Sequence, residues 1–440
     1  MESVTQIEEH VRSILGPGAD QVARESGFIR RERQVSGSTF AQGLIFGWMH
    51  TPDARLEQLS QALGRAGASI SAPGLSQRFT PEAVAFLETV FQHLSQLAVR
   101  VEPAELALLK RFSAVIVEDS SQISLPDELR GHWKGCGNGA KSQQAGLKLH
   151  VQWDLLSGQL WGPVLSDGTL SDQRSPLRQD PEMIPAGAVY VTDNGSFGLA
   201  WLQAHACAGR YALTRPRANT AFFDVRGHRL DLREIGPKPV GATLDMPVLV
   251  GAQVQWLARL IMVRVPEDVA EQRQERIKRT AQRHSREADP LHLELAQWTI
   301  LITNVPLEVL STQEVVVIQR ARWQIERLFR LWKEGGGIDE WRSKKPERIL
   351  CELYGKLMGL LIQHWLLQQT CWSDPRRSLV KASKVIRDFA WDLLSVVQAR
   401  GSLSVVVEHM RRVMRSTCRI NQRHKFPSTA QLLLGEVAHA

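Results

Sequence analysis

Through the first hundred residues the apolar positions return every three or four steps. "SVTQIEEHVRSIL", "STFAQGLIFGWMH", "RLEQLSQALGRAG" and "TPEAVAFLETVFQHLSQLA" each show this spacing, which predicts helices with short breaks over residues 1–108. Thr80, Pro81 and Glu82 open the last of them, with threonine as the cap and proline at the first helical position. "LEQLSQALGRAGASISAPGLSQRF" runs as a helix, a glycine-containing break and a short polar segment with Gln77 and Arg78. That outline fits a helix-turn-helix with Arg78 on DNA, and it fits an ordinary helical bundle equally well.

From about residue 111 the period falls to two. "FSAVIVEDSS" is an apolar strand ending in a carboxylate at Asp119, and "AGAVYVTDNGSFG" repeats the device at Asp193, so two strands are expected to deliver two acids to turns. Glu118 is a rival to Asp119, but neighbours on a strand point to opposite faces and only one can enter a shared site. "LKLHVQWDLLSGQLWGPVL" alternates around Ser157 and Gly158 as a hairpin, with Lys148 on a polar position that can approach DNA or simply face water. Glycine- and proline-rich strand-like stretches continue to about residue 265. A basic segment, "EDVAEQRQERIKRTAQRHSRE", then reads as a helix or solvated linker, and "LELAQWTILITNVP" as another strand. From Thr312 the pattern is helical to the end. The fold class is therefore α/β, of the α+β multidomain kind.

On a helical wheel of "IQRARWQIERLFRLWK", Gln319, Arg322, Glu326, Arg330 and Lys333 share one arc, while Ile318, Ile325, Leu328, Phe329 and Trp332 fill a neighbouring apolar one. A lone glutamate on a cationic stripe is explained by i,i+4 ion pairs worth ~0.2–0.5 kcal/mol each. Two strand-end aspartates upstream change that reading. Three carboxylates from two strands and a helix suit a hard divalent cation, Mg²⁺ or Mn²⁺, and a pair of such ions can activate an attacking oxygen and stabilise a leaving one in phosphoryl transfer. The cations around Glu326 would hold a phosphodiester backbone.

Charge supports this. The 440 residues carry a formal net charge of +8, with a pI near 9.4, which favours a polyanionic partner. Five scattered cysteines without a CxxC pair indicate neither a disulfide framework nor a zinc module, and a reducing cytoplasm is expected. The N-terminus is acidic and amphipathic, unlike a secretory signal, and no apolar run has the length of a membrane span, so no membrane association is expected.

Asp119 in "VIVEDSSQISLP", Asp193 in "VYVTDNGSF" and Glu326 in "RWQIERLFRLWK" together resemble the three acids of the DDE transposases of bacterial insertion sequences. The last stretch resembles the Y-x2-R-x3-E-x6-K signature of the insertion-sequence-four family, with Arg322, Glu326 and Lys333 in register and Gln319 where that signature has tyrosine. The resemblance is densest from about 111 to 366. It implies a ribonuclease-H-like core at 109–204 and 298–370, interrupted by a β-rich insertion at 205–297. A helical DNA-binding domain at 1–108 and a C-terminal helical region at 371–440, suited to dimerisation, complete the expected organisation. It further implies Asp119, Asp193 and Glu326 as catalytic metal ligands for two Mg²⁺ or Mn²⁺ ions. Arg322 and Lys333 are expected on the phosphate backbone with Gln319 and Arg330 beside them, and Trp298 either stacks on an extruded base or packs in its strand's core. The partners implied are double-stranded DNA, as terminal inverted repeats and target, and a second copy of the chain on that DNA, at the nucleoid. The rivals are a ribonuclease-H-like nuclease or resolvase without strand transfer, and a catalytically inactive DNA-binding protein.

Overall fold

The computed structural model of the chain describes residues 2–31, 34–97, 99, 102–135, 145–178, 184–236, 238–421 and 427–436. The N-terminal quarter is helical, the four periodic stretches forming α1 (Glu2–Ser13), α3 (Gly37–His50), α4 (Leu56–Arg65) and α6 (Pro81–Ser95), with α2 (Ala19–Glu25) and α5 (Ala72–Arg78) between them. Thr80 caps α6 through its hydroxyl, which accepts from the Ala83 amide at 3.3 Å. Strands β1 (Val115–Leu125), β2 (Ala145–Asp154), β3 (Leu160–Asp167) and β4 (Val189–Val191) follow, then α7 (Leu199–Cys207) and β5 (Tyr211–Thr214). Next come β6 (Phe222–Phe223), β7 (Arg229–Leu230), β8 (Thr243–Val250) and β9 (Trp256–Arg264), with α8 (Glu267–Arg283), α9 (Pro290–Leu295) and β10 (Trp298–Thr303). The chain closes with α10 (Thr312–Ala321), α11 (Trp323–Arg330), α12 (Pro346–Cys371), α13 (Leu379–Asp388), α14 (Ala390–Val397), α15 (Leu403–Thr417) and α16 (Thr429–Leu433).

These elements form two compact units, each assembled from separate stretches of chain. The first takes residues 1–106, 120–170 and 324–426; the second takes 107–119, 171–323 and 427–440. In the first, α12 is buried along nearly all of its 26 residues and packs on α3 and α6. Gly355 permits that approach: a Cβ there would lie 2.7 Å from the Trp48 ring. The expected hairpin is present as antiparallel β2 and β3, with Trp153 opposite Leu160. Gly158, at φ +77°, turns it beneath the Trp372 indole, where a side chain would not fit.

The second unit holds a large mixed sheet in the order β1-β4-β5-β10-β9-β8-β6-β7. β1 runs parallel to β4 and β4 parallel to β5, whereas β10 is antiparallel to both β5 and β9. The basic segment after β9 is a true helix, α8, rather than a linker. One expectation needs correcting. Asp119 does not end its strand at a turn: β1 continues to Leu125, because "SSQISL" keeps the buried-exposed alternation with small polar residues that the sequence suggested were a break. Among the described residues no helix is long and apolar enough to cross a membrane.

Candidate active site

Register places the two aspartates. Val115 and Val117 of β1 pair with Val189 and Val191 of β4, which in turn pair with Tyr211 and Leu213 of β5. Two further residues along each parallel strand are Asp119, Asp193 and Arg215, so the three stand at one level, at the carboxyl ends of β4 and β5 where α/β sheets present their ligands. Thr192 and Thr214, just below that level, join their hydroxyls at 2.9 Å. The turn after β4 caps Asp193, whose Oδ1 accepts the Ser196 amide at 3.2 Å.

Alternation sends the neighbouring acids to different surroundings. Glu118 points inward, 2% exposed, and pairs with Arg178 at 2.8 Å, while the Asp119 side chain is 21% exposed and meets Arg322 Nη1 at 3.2 Å. Arg322 sits between α10 and α11 with right-handed helical backbone angles. Gln319, in the signature's tyrosine position, is buried, and its Nε2 donates to the Thr192 carbonyl at 3.3 Å. That bond ties α10 to the residue preceding Asp193. Gln319 Oε1 has no hydrogen-bond partner among the described residues.

Arg215 was not singled out from the sequence, where "RYALTRPR" reads only as a strand. The usable signal was its place two residues beyond a short apolar strand, matching Asp193 in "VYVTD". Surrounding protein first, and then the charge of Arg322, lower its pKa below the ordinary arginine value, with Arg276 adding to the effect and Asp193 opposing it. By surface area Arg215 is exposed, so that crowding is moderated by water and the guanidinium stays charged. Arg273 of α8 feels burial and then Arg215 and Arg276, and its pKa is lowered too. Arg215, Arg322, Arg273 and Arg276 thus form one cationic cluster, in which Arg215 feels Asp193 and Arg322 meets Asp119, an arrangement that attracts a polyanion.

The remaining predicted residues stand as follows. Glu326 and Lys333 belong to the first unit and are half-buried, and the Lys333 Nζ donates to the Gln122 carbonyl of β1 at 2.8 Å. The wheel that put both on one continuous α-helix needs correction, because Leu331–Gly335 is a π-helical turn and rotates Lys333 from its α-helical bearing. The apolar arc is as expected, with Ile318, Ile325, Leu328, Phe329 and Trp332 all buried. Arg330 is exposed and lies 3.7 Å from Glu334. Lys148 Nζ donates to the Leu170 carbonyl at 2.6 Å, and Arg78 is half-buried at the end of α5. Trp298 packs in the core of the second unit, under the Arg264 guanidinium. The exposed indole nearby in sequence is Trp323, 56% accessible, which sequence reasoning passed over.

Among the described residues no group of three His, Cys, Asp or Glu side chains is gathered to hold a metal ion. What the second unit offers is oxygen-only donors, Asp119 and Asp193, with neither thiolate nor imidazole between them, which fits a hard cation such as Mg²⁺ or Mn²⁺ and not a zinc site.

A family model described as the transposase DDE domain matches residues 110–362, more than half of the chain and all of the strands just described. The chain belongs to the DDE transposase family. Its relatives include the transposase for insertion sequence element IS231F of Bacillus thuringiensis subsp. israelensis, 26% identical over 95% of this chain and 92% of that one. The transposase for IS1151 of Clostridium perfringens is 23% identical over 78% of this chain and 76% of its own, and that for IS421 of Escherichia coli is 25% identical over 81% and 92%. This member of the DDE transposases is therefore an enzyme.

Proposed function

We propose that this transposase binds the terminal inverted repeats of an insertion sequence, cuts the DNA at their ends and joins the freed 3′ hydroxyl to target DNA. The observation that carries the reading is the common level of Asp119 and Asp193 on parallel strands, with Arg322 and Arg215 beside them. Asp119 and Asp193, with Glu326 assigned from its motif, would hold two Mg²⁺ or Mn²⁺ ions, which when bound would activate the attacking oxygen and stabilise the leaving one. Arg215 and Arg322 hold the phosphate next to those acids, Lys333 and Arg330 bind backbone further along, and the exposed Trp323 face suits an unstacked base. Strand order β3-β2-β1 in one unit and β1-β4-β5 in the other supports a ribonuclease-H-like core, with 205–297 as its insertion. The helices of 1–108, Arg78 included, serve DNA binding together with Lys148 of β2, and 371–440 serves pairing of two copies on DNA.

The test is cleavage of labelled DNA bearing the inverted repeats that flank this gene, with Mg²⁺ or Mn²⁺. Wild type is expected to cut at the repeat ends and yield joined products, while Asp193→Asn and Glu326→Gln bind but do not cut. Cutting without joining would make it a nuclease, and metal-independent binding without cutting would make it a DNA-binding protein only.

A further inference from the structure

The Arg178 side chain lies behind the aspartates, not beside them. It follows Ser175 and Pro176 in a short 3-10 turn and its side chain is only 5% exposed. Nε donates to both carboxylate oxygens of Glu118, at 2.8 and 3.1 Å, and Nη1 donates to the Ser196 carbonyl at 2.8 Å. Each contact adjoins one acid. Glu118 is the residue before Asp119 on β1, and Ser196 is the residue whose amide caps the Asp193 carboxylate. The guanidinium also lies 4.5 Å over the Trp201 ring, which meets Tyr190 of β4 edge-on at 4.6 Å and packs on His205 at 3.8 Å. One planar cation is thereby bonded to the strand of the first aspartate and the turn of the second, and rests on an aromatic layer reaching the second aspartate's own strand.

We propose that Arg178 is a positioning residue for both aspartates, spanning Glu118 and the Ser196 carbonyl so that Asp119 and Asp193 keep the separation a shared cation needs. A fold-stabilising ion pair alone would require only Glu118. The second arm, to a backbone carbonyl in the loop carrying Asp193, has no use in simple charge neutralisation. An arginine suits the task because its fork bonds in two directions at fixed angles, which the single ammonium of lysine cannot reproduce. The inference rests on the reading that Asp119 and Asp193 hold the metal ion.

The experiment is a Mn²⁺ titration of the full chain, followed by the free-ion signal in electron paramagnetic resonance, alongside urea unfolding without metal. The variants are Glu118→Gln/Arg178→Met, Arg178→Lys and Asp193→Asn. The double variant removes the buried charges together, so stability is retained, yet Mn²⁺ affinity is expected to fall by about tenfold or more, the scale on which outer-shell supports act. Arg178→Lys keeps the charge against Glu118, should fold even where the double does not, and is also expected to bind Mn²⁺ more weakly. Mn²⁺ affinity within twofold of wild type in either folded variant overturns the proposal, provided Asp193→Asn has lost it. If Asp193→Asn binds Mn²⁺ as wild type does, the metal reading of the aspartates falls instead.

Discussion

Asp119 and Asp193 owe their common level to backbone register, whereas the end of the helix that carries Lys333 is held by buried charge. On β1 and β4 the ladder of peptide hydrogen bonds sets each aspartate two residues past a valine pair and so fixes their level, leaving their separation to the Arg178 bridge proposed above. After the π turn, by contrast, "EGGGIDE" leaves carbonyls without helical partners. Arg387 of α13 donates to the Gly335 carbonyl, and Lys356 of α12 donates to Gly337 at 2.7 Å and Glu340 at 3.2 Å. Lys356 is itself paired with Glu352 at 2.7 Å, both side chains being almost wholly buried. The difference teaches where a substitution should be felt. In the strands it should remove chemistry and spare the fold; at the helix end it should disturb the fold first.

The largest effect expected is on chemistry. Asp193→Asn keeps an acceptor for the Ser196 amide but loses the charge, and metal ligation is worth several kcal/mol of barrier, so cleavage should drop by about a thousandfold or more. Its urea midpoint should stay near that of wild type. A strongly destabilised Asp193→Asn protein would break the contrast from the strand side.

Lys356→Met attacks the other side. It strands Glu352, whose pKa burial already raises, in a dry interior, and removing one partner of a buried pair costs about 3–5 kcal/mol. Urea unfolding should show that loss, and Glu352→Gln in the same chain should restore much of it. A single-variant cost under about 1 kcal/mol would mean that the carbonyl bonds, not the charge pair, hold the segment.

Buried histidines give a third, pH-dependent probe, one in each unit. Burial disfavours the charged form of His364, in the first unit, and of His205, in the second, and lowers each pKa from 6.5 to about 4. In His205 the nearby Arg210 and Arg178 add to burial. With the folded pKa below the unfolded one, the stability each contributes is complete above about pH 6.5 and is lost as pH falls toward 4, amounting to about 3 kcal/mol per group at most. Thermal midpoints measured from pH 7 to 4.5 should fall accordingly. His364→Gln, whose amide can donate to the Gly158 carbonyl that His364 contacts at 2.8 Å, should flatten part of the slope.

The contrast also explains what the sequence could and could not say. Elements governed by local periodicity were legible: the four periodic N-terminal stretches that form α1, α3, α4 and α6, the β2–β3 hairpin, and the apolar arc of Ile325, Phe329 and Trp332. The place of Asp193 just past a short strand was legible because it follows a run rich in β-branched residues. Arg215 was not, since only the parallel pairing of β4 with β5 brings it level with Asp193, and pairing is a tertiary property. Nor was the extent of β1 past Asp119, where serines and a glutamine fill strand positions that composition alone assigns to a turn. The π turn at Leu331–Gly335 escaped the helical wheel for a related reason: one extra residue per turn leaves no mark in an apolar pattern that still buries Leu331 and Trp332.

The smallest effect, and the sharpest division between the two kinds of support, is expected at Gln319. Its amide reaches Thr192, the residue before Asp193, from a buried position, so a methionine of similar length removes one neutral hydrogen bond and also the unpartnered Oε1. Those changes oppose one another, and the net shift in stability should stay within about 1 kcal/mol. Because the side chain is 6% exposed, affinity for inverted-repeat DNA should not change. If Gln319→Met cuts DNA normally, the bond from α10 is not needed to place Asp193. If cleavage falls at least tenfold with stability and DNA binding intact, the loop after β4 depends on α10 as the helix end depends on Lys356.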